Sequence, residues 1–161
     1  MFAVRAIPKG TIIGREAGFF RDRFYGWFTW RDFAGFDRHL QRKVNQMCTR
    51  EPKGFSAPWN FDLLPTSWYI NHRCGGNIGF KGEDFIAIRG IRPGKELTLD
   101  YALIETDPRI RWRCGCGSRQ CRGVVTGNDW KDPELQQRNR AYFHEYIGQR
   151  LLRVARARRR A

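Results

Sequence analysis

Cys114, Cys116 and Cys121 stand as C-x-C-x4-C in the run Arg113-Cys114-Gly115-Cys116-Gly117-Ser118-Arg119-Gln120-Cys121-Arg122-Gly123. Three thiols this close suit metal ligation, and a tetrahedral zinc takes four thiolates. The chain has five cysteines, an odd number with three bunched together, which fits a metal better than a disulfide framework. Cys74 is the expected fourth ligand. Cys48 falls in a stretch of helical periodicity, where a buried structural thiol is the commoner role. Glycines at 115 and 117 free the backbone to fold around an ion. A structural zinc contributes on the order of 10 kcal/mol to local folding, so its loss is expected to disorder the residues from Cys114 to Arg122.

Two further segments carry chemistry: Ile70-Asn71-His72-Arg73-Cys74-Gly75-Gly76-Asn77 and Glu96-Leu97-Thr98-Leu99-Asp100-Tyr101. Taken with the cysteines, they resemble the SET-domain lysine methyltransferases that carry a zinc-binding post-SET segment. In that family C-x-C-x4-C joins the cysteine of an Asn-His-Ser-Cys-x-Pro-Asn motif around zinc. Asn71, His72, Cys74 and Asn77 match that motif, while Arg73 replaces the serine and Gly76 the proline. Glu96 to Tyr101 is similar to the family's Glu-Leu-Thr-x-Asp-Tyr strand. Phe2-Ala3 and Ile7-x-x-Gly10 look like its first strand pair; the family's Gly-x-Gly, which usually stands just before the Phe-Ala segment, does not stand ahead of Phe2 in this sequence. The matches run in the family's order over nearly all of residues 1 to 123. Residues 124 to 130 and the helix after them resemble the C-terminal extension of small stand-alone bacterial SET proteins.

The resemblance implies small twisted sheets in which the Asn-His segment and the tyrosine strand form a pseudoknot. It implies that S-adenosylmethionine binds on one face, held by Phe2, Ala3, Asn71, His72 and Tyr101. The target lysine would enter from the other face, and Tyr101 would be catalytic. Methyl transfer from a sulfonium needs a neutral amine, and a lysine of pKa near 10.4 loses its proton at pH 7 at a cost of roughly 4 to 5 kcal/mol. A cationic cofactor and a dry channel both favour the neutral form, so no strong base is obligatory. Alignment of nitrogen, methyl and sulfur would then carry much of the catalysis. Leu99 holds the position where the family has a phenylalanine or tyrosine that limits methylation state. Leucine has less bulk and no hydroxyl, which is expected to permit di- or trimethylation.

The elements that must position these groups are short. Thr11 to Glu16 reads as a strand after the Pro8-Lys9-Gly10 turn signal. Phe36, Leu40, Val44 and Met47 recur at helical spacing, with Asp37 near the start. Phe85 to Ile91 and Glu96 to Tyr101 read as strands around a Pro93-Gly94 turn. Asp132-Pro133-Glu134 opens a helix expected over about 133–154. The aromatic stretch Phe19, Phe20, Phe24, Tyr25, Trp27, Phe28, Trp30 suits either core packing or a channel for an alkylammonium side chain. The pattern predicts an α+β fold, mainly β, and the resemblance implies its division into a SET domain over 1–111, a post-SET zinc segment over 112–123 and an extension over 124–161.

A chain of 161 residues with 41% hydrophobic and 14% aromatic content makes one domain with a small appendage. No apolar run reaches membrane-spanning length, and the N-terminus lacks a signal-peptide layout, so an intracellular, cytoplasmic protein is expected, with nucleoid or chromatin association open. The net charge is +14, and six arginines (Arg150, Arg153, Arg156, Arg158, Arg159, Arg160) crowd the end without an acid. The rest of the chain still carries +8. Such a tail is either a solvated end or a salt-dependent phosphate contact. The expected partner is a protein substrate with a target lysine, nucleic-acid-associated in keeping with the charge. The alternatives are a catalytically weak SET-like module that docks on nucleic acid, and a small zinc-stabilised nucleic-acid protein without cofactor.

Overall fold

A computed structural model describes residues 1–14, 25–48, 50–62, 64 and 66–158. Its largest sheet joins β1 (Ile12–Gly14), β5 (Asn71–His72), β6 (Ile78–Lys81), β7 (Asp84–Ala87) and β8 (Thr98–Leu99) in the order β1-β7-β6-β8-β5. The β6–β7 hairpin turns at Gly82, whose φ of 65° suits a residue without Cβ, and pairs Phe80 with Phe85. β8 then runs between β5 and β6, parallel to both. Residues 71–78 therefore lie on both sides of a strand that follows them by some twenty positions in sequence. Asn77 fastens this crossing. Its backbone N–H donates to the Thr98 carbonyl (2.9 Å), its side-chain amide donates to the Glu96 carbonyl (2.8 Å), and its side-chain oxygen accepts from the Thr98 N–H (2.9 Å). At Gly76 a Cβ would collide with the Thr98 carbonyl, so a side chain there has no room.

A second sheet, β2 (Tyr25–Thr29), β3 (Arg50–Glu51) and β4 (Gly54–Pro58), packs with α1 (Trp30–Gly35) and α2 (Arg38–Met47) around a separate core of Val44, Cys48, Phe55 and Ala57. α2 lies where the periodicity places it. The Asp37 carboxylate accepts from the N–H groups of His39 and Leu40 at 2.8 Å each, which is why the helix starts there. Phe28 and Trp30 stack against Phe55 in this core. Phe28 and Trp30 of the aromatic stretch thus serve packing, Tyr25 is buried against Trp68, and Trp27 is half exposed. Phe19, Phe20 and Phe24, like Arg15 and Glu16 of the expected first strand, lie outside the described residues.

The strand readings are longer than the structure. Ladder pairing of the second covers Thr98–Leu99, joined by a single Phe2–Glu96 bridge, and Tyr101 already begins a 3-10 turn over Tyr101–Leu103. Asp100 causes the switch, because its carboxylate caps the Ala102 N–H. The first ladder ends at Ala87, and Ile91 keeps only a bridge to Ile7. The single helix expected over 133–154 is two, α3 (Pro133–Asn139) and α4 (Glu145–Arg158). Between them the Tyr142 carbonyl accepts from the Phe80 N–H (3.0 Å), and the His144 N–H donates to Leu103 (2.9 Å). The body of the domain captures this backbone, and the approach is possible because residue 79 is glycine: a Cβ there would sit 2.9 Å from Tyr142 Cβ. Among the described residues no helix is long and apolar enough to cross a membrane.

Candidate active site and metal centre

β9 (Arg111–Arg113) and β10 (Val124–Thr126) form an antiparallel hairpin whose loop carries Cys114, Cys116 and Cys121. The Cys114 N–H donates to the Gly123 carbonyl at 2.8 Å, closing the neck, and Gly117 and Gly123 take φ of 64° and 68°. Cys74 reaches this loop from the crossing segment, so that four sulfurs lie within 4.8 Å of one another and could hold a metal ion. Cys74 and Cys114 Sγ are 3.9 Å apart. A tetrahedral ion with bonds of about 2.3 Å to sulfur has edges of about 3.8 Å, so the donor set fits. Cys74 is fully buried, and burial pushes its thiol up to about 12; a thiolate there needs a cation beside it. Cys48 stands apart at the end of α2, its thiol also driven up to about 12 by burial in the second core. Arg73, which departs from the family motif, donates to the Cys116 carbonyl at 2.7 Å and ties the crossing segment to the cysteine loop.

The residues around Tyr101 are held from several elements at once. Its N–H donates to His72 Nδ1 (3.1 Å), and its hydroxyl donates to the Ile70 carbonyl (3.0 Å). With Nδ1 accepting, the imidazole proton sits on Nε2, 3.4 Å from Cys74 Sγ. Burial holds His72 below the usual histidine range, more than the nearby Asp100 carboxylate raises it, so the ring is neutral and serves as a fixed link. The rings of His72, Tyr101 and Trp112 meet edge to face. Burial, and secondarily the Glu105 charge, raise the Tyr101 hydroxyl above its usual range. Phe2 bridges Glu96, and the Ala3 N–H donates to the Lys95 carbonyl (2.9 Å). Asn71 donates to the Glu96 carboxylate (2.8 Å), which brings Phe2, Ala3 and Asn71 to one edge of the site.

A cavity of about 300 Å³ opens beside Tyr101, with Leu99, Trp68, Ile70, Trp112 and Glu105 in its wall. Sequence reasoning missed Trp68, Trp112 and Glu105, which lie in no motif and are assembled by the fold alone. It also missed the link beneath Tyr101. Asp100 is buried and receives two hydrogen bonds from the Arg122 guanidinium (2.8 and 2.7 Å) and one from the Gly75 N–H (3.0 Å), while Arg122 Nε donates to Asp129 (2.7 Å). Arg122 follows Cys121 and Asp100 precedes Tyr101, adjacencies that could have pointed to the pair. Of the C-terminal arginines, Arg150 lies over the Trp130 ring at 4.8 Å. Arg159 and Arg160 are outside the described residues.

The sequence profile described as the SET domain matches residues 1–102, and the chain belongs to the SET-domain family. The mostly β architecture and the cysteine cluster agree with that membership. The chain is 29% identical over 92 residues to the methyltransferase flvH of Aspergillus flavus, covering 55% of this chain and 51% of that protein. It is 42% identical over 64 residues to the histone-lysine N-methyltransferase TRX1 of Oryza sativa, covering 35% of this chain and 6% of that enzyme. It is 29% identical over 97 residues to the histone-lysine N-methyltransferase ASHR3 of Arabidopsis thaliana, with 52% and 19% covered. The chain thus spans about half the length of the Aspergillus relative and a smaller part of the plant enzymes.

Proposed function

We propose that the chain is a protein-lysine N-methyltransferase that uses S-adenosylmethionine. The observation that carries this reading is the placement of Tyr101 and Leu99 in the wall of one aromatic cavity, beside an edge where Phe2 and Asn71 flank Glu96. The histone-lysine activity in the names of the rice and Arabidopsis relatives supports a protein lysine as acceptor. The residues present fit the cofactor: the Phe2 ring is 64% exposed, Asn71 offers a polar side chain beside it, and His72 and Tyr101 follow along the same strand crossing. S-adenosylmethionine, when bound, supplies a methyl group on a cationic sulfonium. Phe2, Ala3, Asn71, His72 and Tyr101 are the residues proposed to hold it.

Trp68 and Trp112 line the cavity, and aromatic walls suit an alkylammonium side chain. The Tyr101 hydroxyl is kept directed at the Ile70 carbonyl, so two oxygens in fixed positions can orient the lysine nitrogen. Leu99 leaves space beside the amine, which supports di- or trimethylation. Cys74, Cys114, Cys116 and Cys121 would hold a structural zinc that fixes the hairpin, and with it Trp112, against Tyr101. The net charge of +14 suits an acidic or nucleic-acid-associated protein as substrate.

The test incubates the protein with methyl-labelled S-adenosylmethionine and a cell lysate, beside Tyr101→Phe. Label on lysines that disappears with the variant is expected. No label with the wild type, or equal label with both proteins, would overturn the reading.

A further inference from the structure

We infer that Glu105 is the counter-ion that recognises the substrate ammonium inside the cavity and receives its proton, an inference that rests on the lysine-methyltransferase reading. Glu105 stands just past the turn that begins at Tyr101, and its N–H donates to the Tyr101 carbonyl at 2.7 Å. Its side chain is 7% exposed and lines the cavity with Tyr101. One oxygen, Oε1, accepts from the N–H groups of Thr106 (2.8 Å) and Asp107 (3.0 Å). Among the described residues the other, Oε2, receives the Arg50 N–H alone, at a longer 3.3 Å, and it keeps capacity for another donor.

No lysine or arginine side chain among the described residues forms an ion pair with this carboxylate. Arg109 is engaged bidentately by Asp107 and lies over Trp30 at 3.8 Å, and the Arg50 guanidinium turns to Asn45. A buried carboxylate without a cation is costly. A cation that arrives on an apolar stem offsets that cost, and the walls of Trp68, Trp112 and Ile70 suit the stem of a lysine.

Burial pushes the Glu105 carboxyl up to about 7, against its three backbone hydrogen bonds and with help from the Asp107 charge. Tyr101, Tyr146 and Cys48 are raised by burial and stay neutral over the range of interest, and burial raises the Glu51 carboxyl against the pull of Arg150. Among the described residues, Asp107, Arg50, Arg109 and Arg150 are the other charged groups on the neighbouring elements. In the transfer an N–H bond of the ammonium breaks, an O–H bond forms on Glu105, and the nitrogen keeps the electron pair. An ion pair becomes two neutral groups, which a dry cavity favours.

The test uses n-butylammonium as the probe and 1-butanol as its uncharged counterpart, with the full chain loaded with zinc. Binding is followed by the indole N–H signals of Trp68 and Trp112. Butylammonium is expected to bind at least about tenfold more tightly than butanol, and Glu105→Gln to remove that preference. Wild-type affinity should rise with pH through about 7 as the carboxyl ionises, whereas the variant should show a flat profile. The wild-type profile needs no variant, so a misfolded Glu105→Gln does not leave the matter open. Equal affinity for the two probes, or a variant that binds like the wild type, would overturn the inference. Methyl transfer is read separately by the labelling experiment: an active wild type whose cavity ignores Glu105 sinks this inference alone, and a protein that binds butylammonium without transferring methyl sinks the functional reading.

Discussion

Arg122→Met removes the cation that compensates Asp100 while keeping the length of the side chain. The Asp100 side chain is 4% exposed and that of Arg122 18%, so solvent screens the pair poorly. Breaking a buried pair by deleting one partner costs about 3 to 5 kcal/mol, because the surviving charge stays desolvated. Asp100 retains the N–H groups of Gly75 and Ala102, which places the expected loss near the low end, about 3 kcal/mol at pH 7. For a chain of this size that corresponds to a fall in Tm of about 6 to 12 °C. The pH dependence is more diagnostic than the size. In the wild type, burial opposes the Asp100 carboxylate, but Arg122 and the two backbone N–H groups outweigh it and hold its carboxyl below the usual range. Such a group contributes stability above its unfolded pKa, and the contribution disappears as pH falls through the lower folded value. In the variant, burial is less opposed and the folded value rises above the unfolded one. Its contribution is then present at low pH and is lost as pH rises through the folded value, so the deficit relative to wild type should shrink between pH 7 and pH 5. Urea unfolding of the zinc-loaded proteins at both pH values measures this. A deficit under about 1 kcal/mol that does not change with pH would refute the buried-pair account.

Leu99→Tyr should shift products toward monomethyl-lysine in mass spectra, and an unchanged product distribution would show that Leu99 does not bound the space around the amine. Metal removal by a chelator should raise hydrogen exchange across Cys114 to Arg122 while sparing the amides of Val44 and Phe55 in the second core; uniform exchange would show that the metal holds more than the hairpin. Gly79→Ala should destabilise by about 1 to 3 kcal/mol through its collision with Ile88 and Tyr142, measured by thermal unfolding, and a neutral result would mean that the link between α3 and α4 yields easily.

What could be read in the sequence was local chemistry. The cysteine spacing, Asp37 ahead of the Leu40-Val44-Met47 periodicity and Asp132-Pro133-Glu134 each encode their structure within a few residues, and the structure keeps all three. What could not be read depends on contacts made across the chain. The break after Asn139 exists because the backbone of Phe80 and Leu103 captures Tyr142 and His144, and nothing between residues 139 and 145 announces it. The strand at Glu96 to Tyr101 seemed longer because a capping aspartate inside an alternating run reads as an outward polar residue, whereas Asp100 turns inward to Arg122. Glu105 and Trp112 join the cavity only through the fold, and a lone acid or tryptophan in sequence carries no sign of such company.

A metal held between Cys74 and Cys114 would also set an order in time. The two positions lie 40 residues apart, and between them are β6, β7, β8 and Tyr101. A bridge across such a span removes loop entropy from the unfolded chain worth on the order of 4 kcal/mol by the chain-entropy relation for cross-links. A ribosome delivers Phe2, Asn71 and His72 well before Cys121. The early residues can meet their partners in β8, but a metal staple that locks them would have to wait for the hairpin. A nascent chain paused before residue 121 should therefore hold the crossing segment loosely, and zinc capture would mark the moment at which the site becomes complete.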